Sequence, residues 1–338
     1  MKKFLYAVSV AALLWGCQPS PKTVTDGHVT VAFYNVENLF DTIQGSNPRD
    51  KDFIPTSKKK WNSKRYLKKV NDIGKVLSSI NSVDLPEVIG LCEVENRLVL
   101  EDLVASSNLK KGNYKIAHIE SPDYRGIDVA MIYRPAEFEF VSQEALAVTF
   151  PDAPNYTTRD ILYVKGKLDG EVYHLFVNHW PSRRGGMEKS EPKRVQAAAV
   201  LKKKVDEIKQ KDANARIIIM GDMNDEPSNK SLAETLGASE KPNTSGLFNM
   251  MYDNHLAKTG SYNFRGNWNM IDNMVVSDNL LTEGKLKTTA NDGNVFHERF
   301  MEYHNKKFKS MSPSRTFGGN NYYGGISDHF PIYFELKK

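Results

Sequence analysis

Cysteine is almost missing from this chain, with two among 338 residues, at positions 17 and 92. If Cys17 is lost to the N-terminal chemistry described below, only Cys92 remains, so no internal disulfide is possible even in an oxidising compartment. The alternation in Val88-Ile89-Gly90-Leu91-Cys92-Glu93 turns Cys92 away from the face that carries Glu93, as expected of a packed core thiol and not a nucleophile. Long apolar runs are also missing: the stretch from Phe4 to Trp15 is too short to span a bilayer as a permanent helix. There is no internal repeat, no low-complexity tract and no regular βαβ alternation, which argues against a Rossmann fold or a barrel and leaves a mixed-sheet α/β sandwich. Charge of one sign is scarce too. The formal charge is +5, of which Lys2 and Lys3 account for two, too little to mark a polyanion binder by itself.

What is present begins with Lys2-Lys3, the apolar stretch and Gly16-Cys17, the charged-apolar-small order of an export signal. Leu14-Trp15-Gly16-Cys17 resembles a bacterial lipobox, so residues 1–17 are expected to be a lipoprotein signal peptide and Cys17 the lipidation site. Acylation would hold the protein at the cell envelope through its lipid alone, on the periplasmic or the outer side. Residues 18–28 are polar and proline-containing, as suits a tether, and one catalytic domain is expected over 29–338.

Within that stretch, strands are expected at 29–35, 88–94, 114–119, 127–133, 138–148, 161–168, 172–178, 216–222, 269–277 and 330–336. Leu168-Asp169-Gly170-Glu171 is a hairpin signal. Leu67, Val70, Ile73, Val76, Leu77 and Ile80 recur at helical spacing over 62–81. Further helices are expected at 96–105 and 188–211, and 290–325 reads as a long loop. Lys58, Lys59, Lys60, Lys64, Arg65, Lys68 and Lys69 gather positive charge at the first of these helices, as a phosphate-binding patch or a solvated face.

The strongest signal is that successive strand-like runs end in acidic, amide or imidazole side chains. Asn35 follows Val31-Ala32-Phe33-Tyr34, Glu93 follows Ile89-Gly90-Leu91-Cys92, and His179 follows Leu175-Phe176-Val177-Asn178. Asp222 and Asn224 follow Ile217-Ile218-Ile219-Met220-Gly221, Asp272 stands in Asn269-Met270-Ile271-Asp272-Asn273, and Ser327-Asp328-His329 precedes the final strand. Convergence of these ends would build one cleft of carboxylates, amides and imidazoles. Hard oxygen ligands suit Mg²⁺ or Mn²⁺, whereas Zn²⁺ draws more on His and Cys. Such a site serves phosphoryl transfer, where a cation neutralises charge on phosphate and leaving oxygens and a carboxylate or His orients an attacking water.

The ordered series Tyr34-Asn35, Glu93, Arg125-Gly126-Ile127-Asp128-Val129-Ala130, Asn178-His179, Gly221-Asp222-Met223-Asn224 and Ser327-Asp328-His329 resembles the endonuclease/exonuclease/phosphatase superfamily, which includes deoxyribonuclease I, sphingomyelinases and inositol-polyphosphate 5-phosphatases. The resemblance implies a four-layer sandwich, two mixed β-sheets flanked by helices. It implies Glu93 as principal metal ligand, with Asn35 and Asp328 in support. Asp222 would orient the water, Asn224 hold a phosphate oxygen, His329 contact the scissile phosphate or move a proton with Asp272 orienting it, and His179 serve as general acid. Arg125 and Asp128 match substrate-contacting positions.

From the residues themselves, Arg183-Arg184-Gly185-Gly186 reads as a phosphate clamp or a surface loop, and Arg315, Tyr322 and Tyr323 as stacking groups or loop packing. Asp225 and Glu226 read as loop acids, and Asn38 and Glu95 have no assigned role. The expected activity is that of a Mg²⁺- or Mn²⁺-dependent phosphodiesterase, first a nuclease acting as a monomer on DNA or RNA. A sphingomyelinase-like or inositol-phosphate enzyme and a catalytically silent binding scaffold are the alternatives.

Overall fold

The computed structural model describes residues 27–45, 50–81, 84–242 and 246–338; the signal, Cys17 and nearly all of the tether lie outside the described residues. Among the described residues, two large mixed sheets face one another. The first has six strands, in the order Asn294–Val295, Ile332–Lys337, β1 (His28–Leu39), β2 (Val88–Val94), β4 (Asp128–Tyr133) and β3 (Lys115–His118). The second has seven, in the order β5 (Phe138–Leu146), β6 (Ile161–Leu168), β7 (Glu171–His179), β8 (Arg216–Asp222), Asp272–Ser277, Leu247–Asn249 and Ala238–Ser239.

Three hydrophobic layers turn these sheets into a four-layer sandwich. Val29, Val31 and Phe33 of β1 meet Met220 and Met274 of the opposite sheet, forming the core between sheets. The alternate residues Ala32, Tyr34 and Val36 pack outward against α1 (Ser63–Ser79) and α2 (Arg97–Ala105), while Ile217 and Ile219 of β8 pack against Ala197 and Leu201 of α3 (Met187–Lys211). Strands covered on both faces have no polar alternation, which is why β1, β2 and β8 read as continuous apolar runs.

Local chemistry sets the helix boundaries. Asn62 caps α1 by accepting Arg65 N–H at 3.2 Å, and Asn96 caps α2 by accepting Val99 N–H at 3.1 Å. Val70, Ile73, Val76 and Leu77 of α1 are buried, each contributing about 1.5–3 kcal/mol. Leu67, expected on the same face, is 52% exposed on the outer side. Asp169 and Gly170 turn the β6–β7 hairpin with left-handed backbone, as their sequence indicates. The stretch 290–325 is not a featureless loop: a hairpin pairs Glu302–Asn305 with Ser310–Pro313, and Phe317–Gly318 pairs with Asn321–Tyr322. No helix among the described residues is long and apolar enough to cross a membrane.

Candidate active site

Strand register aligns the chemistry-bearing ends. β7 runs parallel to β8 with His179 opposite Asp222, and the antiparallel strand Asp272–Ser277 places Asp272 against Asp222 from the other side. Gly221 makes this pairing possible, because a Cβ there would collide with the carbonyl of Asn178. In the facing sheet, register shifts interrupt β1 between Asn35 and Leu39 and β2 between Cys92 and Val94. Glu37, Asn38 and Glu93 have φ of 48°, 52° and 63°, and Asn224 has 51°. All four line one cleft of about 720 Å³, with backbone held in the region that functional sites populate disproportionately.

At the centre of the cleft Asp222 is 2% exposed. Its Oδ1 accepts Asn224 N–H at 2.9 Å and its Oδ2 accepts the Asn35 amide N–H at 3.0 Å. The Nε2 atoms of His179 and His329 lie 3.7 and 3.8 Å from Oδ2. Behind His329, Nδ1 meets Asp272 Oδ2 at 2.7 Å, and that carboxylate also accepts the Ser261 hydroxyl. Burial opposes the charge on His329, but Asp272, Asp222 and Asp328 outweigh it and push the imidazole up to about 10. Burial, reinforced by the charges of Arg159, Arg125 and His329, holds His179 well below its ordinary value. Burial and the neighbouring Asp272 push Asp222 up to about 7. The two imidazoles are thus held in opposite protonation states around one carboxylate.

The other bank is acidic and arginine-paired. Glu93 accepts Asn38 N–H at 2.9 Å and pairs with Arg125 at 3.1 Å, and Arg125 also donates to the Asn38 carboxamide at 2.8 Å. Asp328 pairs with Arg315 at 2.7 Å. Glu37, which the sequence reading did not single out, is 5% exposed, and burial and Asp328 push it up to about 7. Glu37, Glu93 and Asp328 line this bank with carboxylate oxygens, hard donors of the kind a divalent cation takes, Glu93 and Asp328 being paired with arginine here. The donor set fits Mg²⁺ or Mn²⁺. Among the described residues, Asp222, Asp272 and His329 form a group whose ligand atoms all lie within 4.8 Å of one another, as do His118, Glu120 and Asp128 outside the cleft.

Some expected site residues are used otherwise. The Asn35 side-chain Oδ1 accepts Glu37 N–H at 3.0 Å while its Nδ2 donates to Asp222, so Asn35 braces Asp222 instead of facing the cleft with a free oxygen. Asp128 is absent from the cleft lining: it is 1% exposed, with His118 Nε2 at 2.9 Å and Ser121 N–H at 2.8 Å. Arg183 lines the cleft but is anchored to the Asn224 carbonyl at 2.7 Å and Asn229 at 2.9 Å, so it shapes the loop that carries Asn224; Arg184 is exposed at the rim. Asp225, read as a loop acid, is a buried partner of Arg194 at 2.7 Å. Tyr322 packs on Trp61 and Phe317, whereas Tyr323 is 64% exposed. Cys92 is buried, and burial pushes its thiol up, as expected of an inert core group.

Several contributors were invisible in the sequence. Buried Arg159 donates to the backbone carbonyls of His179 at 3.2 Å and Trp180 at 2.8 Å and pairs with Asp123 at 3.2 Å, fixing the end of β7. Tyr262, Phe264 and Asn269 reach the cleft from a hairpin with little apolar signal of its own.

The family model for the endonuclease/exonuclease/phosphatase family matches residues 30–338. This chain belongs to that family. It is a phosphoric ester hydrolase on the sandwich that the family shares. Among solved structures, the chain is similar to Danio rerio TDP2 complexed with a single-strand DNA product, at 14% identity and TM-score 0.56, covering 93% of this chain and 100% of that one. It is also similar to the Bacteroides thetaiotaomicron mannosyl-6-phosphatase Bt3783, at 18% identity and TM-score 0.57, covering 92% and 100%. A further Bacteroides thetaiotaomicron protein of the endonuclease/exonuclease/phosphatase family shares 19% identity at TM-score 0.56 over 91% and 97%. No curated protein matches the sequence.

Proposed function

We propose that this cleft hydrolyses a phosphodiester, with nucleic acid as the substrate class, by attack of a water that Asp222 orients. The observation that carries the reading is the geometry of two buried imidazoles whose Nε2 atoms stand 3.7 and 3.8 Å from the Asp222 carboxylate, one of them backed by Asp272 at 2.7 Å and the other not. In this reading His329, kept protonated by Asp272, faces the phosphate as a cation and delivers a proton toward the leaving oxygen. His179, kept neutral, serves as a hydrogen-bonding partner, which reverses the role of general acid expected of it from the family resemblance. Asn224 retains one amide N–H beyond the bond to the Trp180 carbonyl at 3.0 Å, and that donor is available to a phosphate oxygen. Glu93, assisted by Asp328 and Glu37, would hold Mg²⁺ or Mn²⁺. When bound, the cation supplies Lewis-acid stabilisation of charge on the phosphoryl oxygens.

Nucleic acid is favoured by Arg125, Arg184 and Arg315 on both banks and by the ring of Phe264 at the rim, 52% exposed, which suits a base or sugar. TDP2, with its bound DNA product, supports the same reading. A sugar phosphomonoester is the second reading. The cleft volume of about 720 Å³ falls within the ordinary range for small-ligand sites, and Bt3783 supports this alternative. The deciding assay offers plasmid DNA, RNA and sugar phosphates in parallel, with Mg²⁺ or Mn²⁺ and with EDTA. EDTA-sensitive nicking that disappears in His329→Ala is the expected result; turnover of the monoester alone selects the second reading, and turnover of none rejects both. Export and acylation at Cys17 belong to this proposal on sequence grounds, and fatty-acid labelling that persists in Cys17→Ser would refute them.

A further inference from the structure

The basic segment at the start of α1 is the sequence feature that the catalytic reading leaves without a role. Four of its seven cations, Lys59, Arg65, Lys68 and Lys69, reach the protein's own loop 314–326, whereas Lys58, Lys60 and Lys64 are exposed. Lys59 Nζ donates to the Gly319 carbonyl at 2.8 Å and Lys68 to the Gly324 carbonyl at 2.9 Å, while the Arg65 guanidinium lies 4.1 Å from the centre of the Tyr322 ring. Lys69 is different in kind, because it is 2% exposed. Its ammonium donates to Thr316 Oγ1 at 2.5 Å and to the Ile326 carbonyl at 2.8 Å, one partner at each end of the loop.

The same loop base is gripped from the sheet side. Glu37 accepts Thr316 N–H at 2.6 Å and Phe317 N–H at 3.2 Å through its two oxygens, and Ile326 N–H closes on the Ser314 carbonyl at 2.5 Å. The residue before Thr316 is Arg315 and the residues after Ile326 are Ser327-Asp328-His329. Ser327 continues the lock, donating its hydroxyl to the Asn35 carbonyl at 2.6 Å and accepting His329 N–H at 3.1 Å.

We propose that Lys69 is a positioning residue for hydrolysis: from α1 it clamps both ends of loop 314–326 and thereby sets Arg315, Asp328 and His329 in the cleft. The inference rests on the cleft being the active site, as proposed above. The physical argument is that a buried ammonium with fixed acceptors cannot be exchanged for water without cost, so the loop base has one arrangement and not several. Loss of the clamp frees Arg315 to leave the substrate anion and lets the Asp328-His329 turn drift, and misplacements on the order of 1 Å cost on the order of 100-fold in rate.

The test compares Lys69→Met, whose side chain fills similar space without a donor, with Thr316→Val, which removes one acceptor, and with Lys68→Met, which removes an exposed pin. Hydrolysis of bis(p-nitrophenyl) phosphate with Mg²⁺ gives kcat and KM, inorganic phosphate gives a competitive inhibition constant, and hydrogen exchange reports the amides of Thr316, Phe317 and Ile326. Lys69→Met is expected to lower kcat/KM about 10- to 100-fold, with the phosphate constant rising in parallel and exchange accelerating at the three amides. Thr316→Val should move the same readouts less, and Lys68→Met should leave them within about twofold. A folded Lys69→Met enzyme with unchanged kcat/KM, phosphate affinity and exchange, differing only in melting temperature, would overturn the proposal. If Lys69→Met fails to fold, Thr316→Val decides: normal phosphate affinity and exchange there reject the clamp. If the wild-type enzyme turns over no phosphate ester, the proposed function fails by itself, and phosphate binding and loop exchange still read the clamp.

Discussion

Asp272→Asn tests the centre of the site most directly. Asp272 reaches His329 Nδ1 at 2.7 Å, does not line the cleft, and is 1% exposed, so the substitution leaves substrate contacts in place. It removes the negative partner of an imidazole held at about 10. A buried charge-assisted hydrogen bond contributes about 1.5–3 kcal/mol, equivalent to a downward shift of about one to two pKa units or a factor of about 10–100. The Asn amide can also donate to Nδ1, which leaves a neutral ring with its proton on Nε2, toward the cleft, and without the positive charge. The expected result is a kcat lower by about 10- to 100-fold, KM within about threefold, and a basic limb of the kcat–pH profile displaced downward by about one to two units. Steady-state kinetics from pH 5 to 10 read all three. Because the two side chains act as one unit, Asp272→Asn with His329→Ala should be little worse than His329→Ala alone. The folded-state pKa of His329 is raised, so its pairing stabilises the fold fully below the unfolded value near 6.5 and ceases to do so as pH rises through about 10. The melting-temperature deficit of Asp272→Asn should therefore be largest below pH 6.5 and shrink toward pH 10. A kcat within about threefold of wild type with an unmoved basic limb would refute the reasoning.

Glu93→Gln keeps the shape and removes the charge that pairs with Arg125, and it should abolish rescue of the EDTA-treated enzyme by micromolar Mg²⁺, as seen by titration calorimetry and by hydrolysis. Burial, with Asp41 and Asp50 nearby, pushes Glu95 up to about 8. Its folded pKa is raised, so the native state binds more protons than the unfolded one and stability falls as pH rises from about 4.5 to 8. Glu95→Gln should accordingly flatten that fall and raise the melting temperature at pH 9 more than at pH 5. Gly221→Ala forces a methyl group against the Asn178 carbonyl, so urea unfolding should show about 1–3 kcal/mol of lost stability, and activity should fall as β7 and β8 part. Arg183→Ala should increase protease susceptibility around Asn224 as well as KM, because the guanidinium holds the Asn224 backbone carbonyl and the Asn229 side chain; a change in KM alone would contradict the bracing role.

Much of the fold was legible because doubly buried strands leave an unmistakable record. Apolar runs such as Ile217-Ile218-Ile219-Met220 have no use in a chain other than as interior strands, and each ended on the residue type that the site uses. The helix α1 was legible from period, although Leu67 followed the period and still faces out. The strands within 290–325 were not legible: hairpins of two to four residues pair mostly through backbone, which side-chain pattern does not encode.

The sequence by itself thus determined the layered sandwich and the family, and it supplied the acids, amides and imidazoles of the cleft, because burial and chemistry are properties of residue type. Tertiary structure alone decided how those groups are used. Register places His179, Asp222 and Asp272 side by side, and bulges turn Glu37, Asn38 and Glu93 into the cleft against strict alternation. The pairing of β3 with β4 takes Asp128 to His118, and contacts between more distant segments tie Arg183 to the Asn224 backbone and send Lys69 of α1 to loop 314–326. A carboxylate or a cation carries its charge wherever it goes, but its partner, its protonation and its access to solvent depend on which other parts of the chain arrive beside it.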